Sequence, residues 1–317
     1  MTSHRVLSTR TILLWGAGLL VLATTAAITL LSTLGGGRPE DSARLDALRT
    51  AANVVVGTGG AAALLLAARR QRSAELDLVQ KDHDATQRRV TEMYSKAAEQ
   101  LGSDKAPVRL AGLYALERLA QEHEEQRQTI VNVLCAYLRM PFEHVLDEHE
   151  RSEENRQELQ VRKAAQRILM LHLGPAAEGS FWPGTDLDLS DASLVDFTLT
   201  RCRIRSVVFD RAKFAGVTEF SGAVFLSKAS FEGANFTDYV DFSSVGFPTL
   251  VAGQFPPATD FSDATFSGEV DFSSTDAHLS GAMARTDRPV PGVWPPGWIE
   301  RPLGTGAVWS GVFRHDG

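Results

Sequence analysis

Between Asp186 and Phe272 a large apolar residue recurs about every fifth place, and this period constrains the fold more than any other feature of the chain. The series runs Leu189, Leu194, Leu199, Ile204, Phe209, Phe214, then Phe220, Phe225, Phe231, Phe236, Phe242 and Phe247 at steps alternating between five and six, and finally Phe261, Phe266 and Phe272. Such a period is neither helical nor that of a plain strand. Two residues before most of these positions stands a small or β-branched residue: Ala192, Cys202, Val207 and Ala212, then Thr218, Ala223, Ala229, Ala234, Val240, Val245, Thr259, Ala264 and Val270. In extended backbone residues i and i−2 share a side, so each string sends one large and one small side chain inward and its polar residues outward. Four such strings, each turning a corner, close a square coil. The extra residue of a six-residue step has to be absorbed at a corner or as a bulge, because otherwise every inward side chain would flip outward. The string PTLVAGQFPPA over 248–258 breaks the register and reads as a loop.

LSDASLVDF, DRAKF, EGANF and SDATF, with the Phe-rich FSGAVF and VDFSS, resemble the pentapeptide-repeat family, whose consensus is Ala, Asp or Asn, Leu or Phe, and two variable residues. The resemblance implies a right-handed quadrilateral β-helix over residues 185–276. At about 20 residues per coil and a strand spacing of about 4.8 Å, this is four to five coils, a rod about 20 Å long. A second resemblance covers AEQLGSDKAPVRLAGLYALERLAQ and RQTIVNVLCAYLRMPF, which are similar to the region before the repeats in membrane-associated pentapeptide proteins of actinobacteria.

Upstream, residues 11–34 form a run of about 24 residues without a charge, long enough as a helix to cross a bilayer core of about 30 Å. A cleaved signal peptide is the alternative, but a second apolar run follows at 51–68 and ends at Arg69, Arg70 and Arg72. With Arg5 and Arg10 ahead of the first run, both flanks prefer the cytoplasm. The expectation is a two-pass hairpin in the inner (cytoplasmic) membrane with residues 1–10 inside, transmembrane helices at 11–34 and 51–68, and an external loop at 35–50. Both termini are then cytoplasmic. Gly57, Gly59 and Gly60 would let the two helices approach closely, or are simply tolerated within a span.

Residues 69–174 read as a helical connector. Gln71 to Gln100 carry frequent charges and a sparse apolar stripe (Leu76, Val79, Val90, Met93, Tyr94, Ala97), the pattern of a solvated stalk or of a modest self-association seam. Gly102-Ser103-Asp104 ends that helix, Ala106 to Glu122 starts another, Glu125 to Met140 a third stopped by Pro141, and Arg151 a fourth reaching Leu173. VRLAGLYALERLA and VRKAAQRILMLHL look like packing helices of HEAT-type repeats. Because β-helix ends expose unpaired backbone, each needs a cap. The end of the fourth helix with Phe181, Trp182 and Pro183 is the candidate for the first, and the Pro/Gly/Trp-rich tail 277–317 could cover the last coil, bind a partner or be disordered.

Little suggests chemistry. His144 and His149 lie in an acidic linker at a spacing that does not align them on one helix face, Gly57 to Gly60 lacks the ending of a phosphate loop, and Cys202 occupies an inward packing position. No catalytic, cofactor or metal residue is assigned, and no cofactor is expected. The net charge of −7 and the lack of a basic patch argue against direct nucleic-acid binding. The expected activity is that of a non-enzymatic scaffold on the membrane, held in the lipid bilayer through residues 11–68 and contacting an unidentified protein partner. The resemblance also implies an alternative, since acidic pentapeptide-repeat rods include DNA mimics that bind topoisomerases such as gyrase. An unrecognised enzyme is the third reading.

Overall fold

The computed structural model of the protein describes Val21, Thr25, Thr29 and residues 41–143, 152–176, 179–247, 259–275, 277, 279–288 and 290–315. It divides into two units, Met1–Asp84 and Ala85–Gly317. Helix α1 runs Asp41–Leu101, so it begins inside the stretch expected as the external loop and continues without a break through residues 51–68. Among the described residues no helix is long and apolar enough to cross a membrane. The span expected at 11–34 lies outside the described residues apart from Val21, Thr25 and Thr29, as do several side chains of 51–68, the loop 248–258, and His144 and His149.

In the second unit, α2 (Ala106–Glu122), α3 (Arg127–Arg139) and α4 (Glu153–Leu173) pack together, and the C-terminal end of α1 joins their core. Here the stalk expectation is corrected at its C-terminal end alone: Val90 and Ala97 are buried in the common core, with Leu101 beyond them, whereas Leu76 and Val79 stand exposed. Gly112 makes the approach of α2 to α1 possible, since a Cβ there would sit 2.8 Å from the Ala97 carbonyl oxygen and 2.9 Å from the Leu101 nitrogen. Pro at the first turn starts α2, and the Ser152 side chain caps α4 by accepting from the Asn155 N–H at 3.1 Å. Glu158 ties the bundle together, accepting from Arg109, Tyr137 and the buried Arg162 at 2.9–3.0 Å. Arg162 also donates to the Leu138 and Met140 carbonyls, satisfying the C-terminal end of α3.

From Asp186 the chain winds into a parallel β-solenoid of about four turns. Its first face stacks β1 (Asp186–Asp188), β3 (Arg203–Val208), β6 (Val224–Ser230) and β9 (Thr259–Asp260). The second stacks β2 (Ser193–Val195), β4 (Lys213–Ala215), β7 (Asn235–Phe236), β10 (Thr265–Phe266) and β12 (Met283–Arg285), and the third stacks β5 (Thr218–Glu219), β8 (Val240–Asp241) and β11 (Val270–Asp271). The fourth face is made where β3 and β6 bend, pairing Ile204 with Phe225, with Val224 bridged to Gly246 in the next coil.

The inward column of each face is now visible. Leu189, Leu194, Leu199, Ile204, Phe209, Phe214, Phe220, Phe225, Phe231, Phe236, Phe242, Phe261, Phe266 and Phe272 are buried, and Phe247 is half-buried. Phenylalanines of successive coils stack almost parallel: Phe231 on Phe261 at 4.6 Å and 3°, Phe214 on Phe236 at 4.5 Å and 10°, Phe220 on Phe242 at 4.9 Å and 8°. Each aromatic pair contributes about 0.5–1.5 kcal/mol beyond the area it buries. After the first and third faces, tight turns close with i to i+3 bonds such as Ala212 N–H to Phe209 C=O, and the residue two past the inward one has positive φ: Asp191, Arg201, Arg211, Gly222, Gly233, Ser244, Asp263, Ser274 and Gly281. These are the marks of type II turns.

The six-residue steps resolve in two ways. Between Phe225 and Phe231 the extra residue is a bulge, since Ile204 pairs with Phe225 but Ser206 with Lys228. Between Phe214 and Phe220 it widens the corner after the second face, where Gly216 has φ +72.

Candidate interaction surfaces

With its interior filled by stacked rings, the rod offers its ends and its outward faces for contact. The first end is closed by the helical bundle. Gln128 of α3 both donates to the Asp186 carbonyl and accepts from the Asp186 N–H, each at 2.9 Å, so its amide stands in for a missing neighbour of β1. Gln166 of α4 does the same for β2, donating to the Val195 carbonyl at 2.9 Å and accepting from its N–H at 3.3 Å. Neither residue was singled out from sequence; an amide that can both give and accept, on a helix next to a repeat, was the available signal. Trp182 is fully buried, stacks on His172 at 4.0 Å and donates from Nε1 to Gln121 at 3.1 Å.

The tail at the far end is ordered over its described residues. β12 continues the second face in parallel with β10, and β13 (Trp298–Pro302) and β14 (Trp309–Arg314) add two antiparallel strands to it. Trp294 packs on Phe272, and Arg288, ion-paired with Glu300, lies over the Trp294 ring at 5.7 Å.

The outward acids of the rod differ from coil to coil, and among the described residues only those of the first coil are ion-paired. Those of the first coil are neutralised: Asp186 by Arg205, Asp188 by Arg139, Asp191 by Arg211 and Asp196 by Lys163. The hydrogen bond from Arg211, more than its charge, holds the Asp191 carboxyl below the usual carboxylate range. On the third face Glu219, Asp241 and Asp271 lie in register, one per coil, and among the described residues none of them has an ion-pair partner. Burial raises the Tyr239 phenol beside this column, and the charges of Asp241, Asp271, Glu269 and Glu219 raise it further. Asp241 and Asp271 also have local work, each accepting at 2.7 Å from the N–H of the serine two residues on, as Asp188 and Asp260 do for Ser190 and Ser262.

Among the described residues no group of three or more His, Cys, Asp or Glu is placed to hold a metal ion. Both cysteines are buried and free. Burial pushes the Cys202 thiol up to about 12 and, offset slightly by a backbone bond at Asp188, the Cys135 thiol up to about 12 as well.

A quadrilateral solenoid with one large and one small inward residue per side defines a class of parallel β-solenoid repeat protein. Residues 199–246 match the family model for Pentapeptide repeats (9 copies), and this part of the chain is a pentapeptide-repeat segment. No curated protein matches the chain, and no solved structure does.

Proposed function

We propose that the protein is a membrane-anchored, non-enzymatic scaffold whose repeat rod binds a protein partner at the cytoplasmic face. The observation that carries the interaction role is the third face, a column of three carboxylates in register and, among the described residues, without ion pairs, where the acids of the first coil are all paired. Basic side chains of a partner strand or helix fit such a column. The anchor rests on the apolar runs 11–34 and 51–68 and on the outward exposure of Val56, Leu64 and Leu66 on α1, 74%, 73% and 59% exposed.

The acidic DNA-mimic reading meets a matter of scale. From Glu219 to Asp271 the column spans two strand spacings, about 10 Å, over which a duplex carries about six charges. Three aligned carboxylates reproduce half of that.

Co-purification from native membranes, with the full chain, a form lacking residues 1–72, and a form carrying Glu219→Gln, Asp241→Asn and Asp271→Asn, tests the proposal. A partner held by the full chain and lost from both variants is expected. A topoisomerase recovered equally by the first two, with supercoiling inhibited by the soluble form, would replace the scaffold by the mimic.

A further inference from the structure

Arg69, Arg70 and Arg72 fall within one turn of α1, immediately past the second apolar run, and all three are exposed. Among the described residues none of them has an ion-pair partner. The nearest carboxylate along the helix, Glu75, accepts instead from Gln71 at 3.1 Å, and the Ser73 hydroxyl turns back to the Arg69 carbonyl at 3.0 Å. The three guanidinium groups therefore stand beside exposed Leu64 and Leu66 with their donors open, while the first acids, Glu75 and Asp77, come one turn later. Arg69 and Arg72 are three apart and share a face, and Arg70 lies about 100° around the helix. Together they ring part of the helix at one level.

Guanidinium presents a planar fork that matches two oxygens of a phosphate, and a cluster of such forks at the end of an apolar helical run meets phosphate at the headgroup level of a bilayer. A zwitterionic headgroup carries its own ammonium and offsets the attraction; an anionic one does not. We propose that Arg69, Arg70 and Arg72 form a collar that recognises the phosphates of anionic phospholipids. The inference rests on the membrane anchor proposed above and adds the chemistry of the lipid.

The test reconstitutes the full chain in vesicles of phosphatidylcholine with about one third phosphatidylglycerol and measures, by electron spin resonance, the association of spin-labelled forms of each lipid. The native chain should prefer phosphatidylglycerol by roughly tenfold at low ionic strength, and the preference should shrink as salt screens it. Arg69→Gln/Arg70→Gln/Arg72→Gln should bring the two lipids near parity, whereas Arg88→Gln/Arg89→Gln, farther along the same helix, should leave the preference intact. Parity in the native chain, or equal loss in both variants, overturns the collar. An alkaline carbonate wash of native membranes addresses the anchor separately. Retention of the native chain with lipid parity sinks the collar alone; release of the chain sinks the anchor, and the collar as described falls with it.

Discussion

Cys202 stands where most strings carry alanine, with its sulfur 3.8 Å from the Met170 carbonyl, and its environment is that of a small packing group. Since burial raises both thiols to about 12, neither cysteine should react with iodoacetamide near pH 8 in the native state, and both should react once urea unfolds the chain, as mass spectrometry would show. The sign of the linkage follows. The folded state favours the neutral thiols, so their contribution is complete below the unfolded value near 9 and is lost as pH rises toward 12. Backbone conformation is a second residue-scale constraint. Gly216 has φ +72 and a Cβ there would fall 2.1 Å from Asp196 Oδ1, a carboxylate already bonded to Lys163 at 2.8 Å. Gly222 has φ +66, but its Cβ would meet only Arg201 Cγ at 3.4 Å. Gly216→Ala should thus cost about 2–3 kcal/mol and Gly222→Ala about 1 kcal/mol in denaturant unfolding. Neither glycine stands out in the five-residue period, and which one also meets a neighbouring coil depends on pairing between residues twenty apart, which local spacing does not encode.

Each column of the solenoid gains from the one beside it. Phe231 touches Phe209 and Phe261 in its own column and Phe220 and Phe242 across the interior, so Phe231→Ala opens a cavity that stacked neighbours cannot collapse into. The expected loss is about 3–5 kcal/mol, with less than half of that for the half-buried Phe247→Ala, read from urea midpoints at constant m. The turn acids give a different test. If Asp241 serves its turn through the bond to Ser243, Asp241→Asn should be close to neutral for stability, while Asp241→Ala should lose about 0.5–2 kcal/mol, since only the former retains an acceptor. The five-residue period exposed these elements because the large inward residue was Leu, Ile or Phe. It hid the last coil, where Leu279 and Ala284 occupy the columns of Phe261 and Phe266 and alanine no longer stands out from its surroundings. It also passed over Phe197, which is fully buried two residues before Leu199, where the pattern asks for a small side chain. The first coil has the narrower five-residue corner there, and this ring packs against Phe209, Phe214 and Phe220.

At the scale of the whole solenoid, the open question for any stack of coils is what stops it from growing. The two ends answer differently. At the first, two glutamine amides from the helical bundle occupy the donors and acceptors that a preceding coil would use, so the end is closed by side chains. At the last, closure is by backbone: β14 covers β12 and β13 covers β14, which moves the exposed edge out to β13. That edge is blunt. Leu303 N–H bonds to the Trp309 carbonyl and His315 N–H to the Gly297 carbonyl, so the odd-numbered residues of β13 face β14 and the even-numbered ones face away. Of the outward donors, Trp298 N–H is taken by the Pro295 carbonyl at 3.1 Å and Pro302 has none, leaving the Glu300 N–H, an arrangement that resists further strand addition. A chain ending at Arg285 would instead expose the full edge of β12 over a column of buried phenylalanines. It should fold its first coils and then associate edge to edge, seen, with both chains in the same detergent micelles, as concentration-dependent growth in light scattering where the full chain stays of one size. Gln166→Leu, by contrast, should leave size unchanged and cost about 1–3 kcal/mol, because it orphans both polar groups of Val195 inside an interface that remains covered. If the shortened chain stayed of one size, the β13–β14 pair would be an appendage, and the stop would have to lie in the coils themselves.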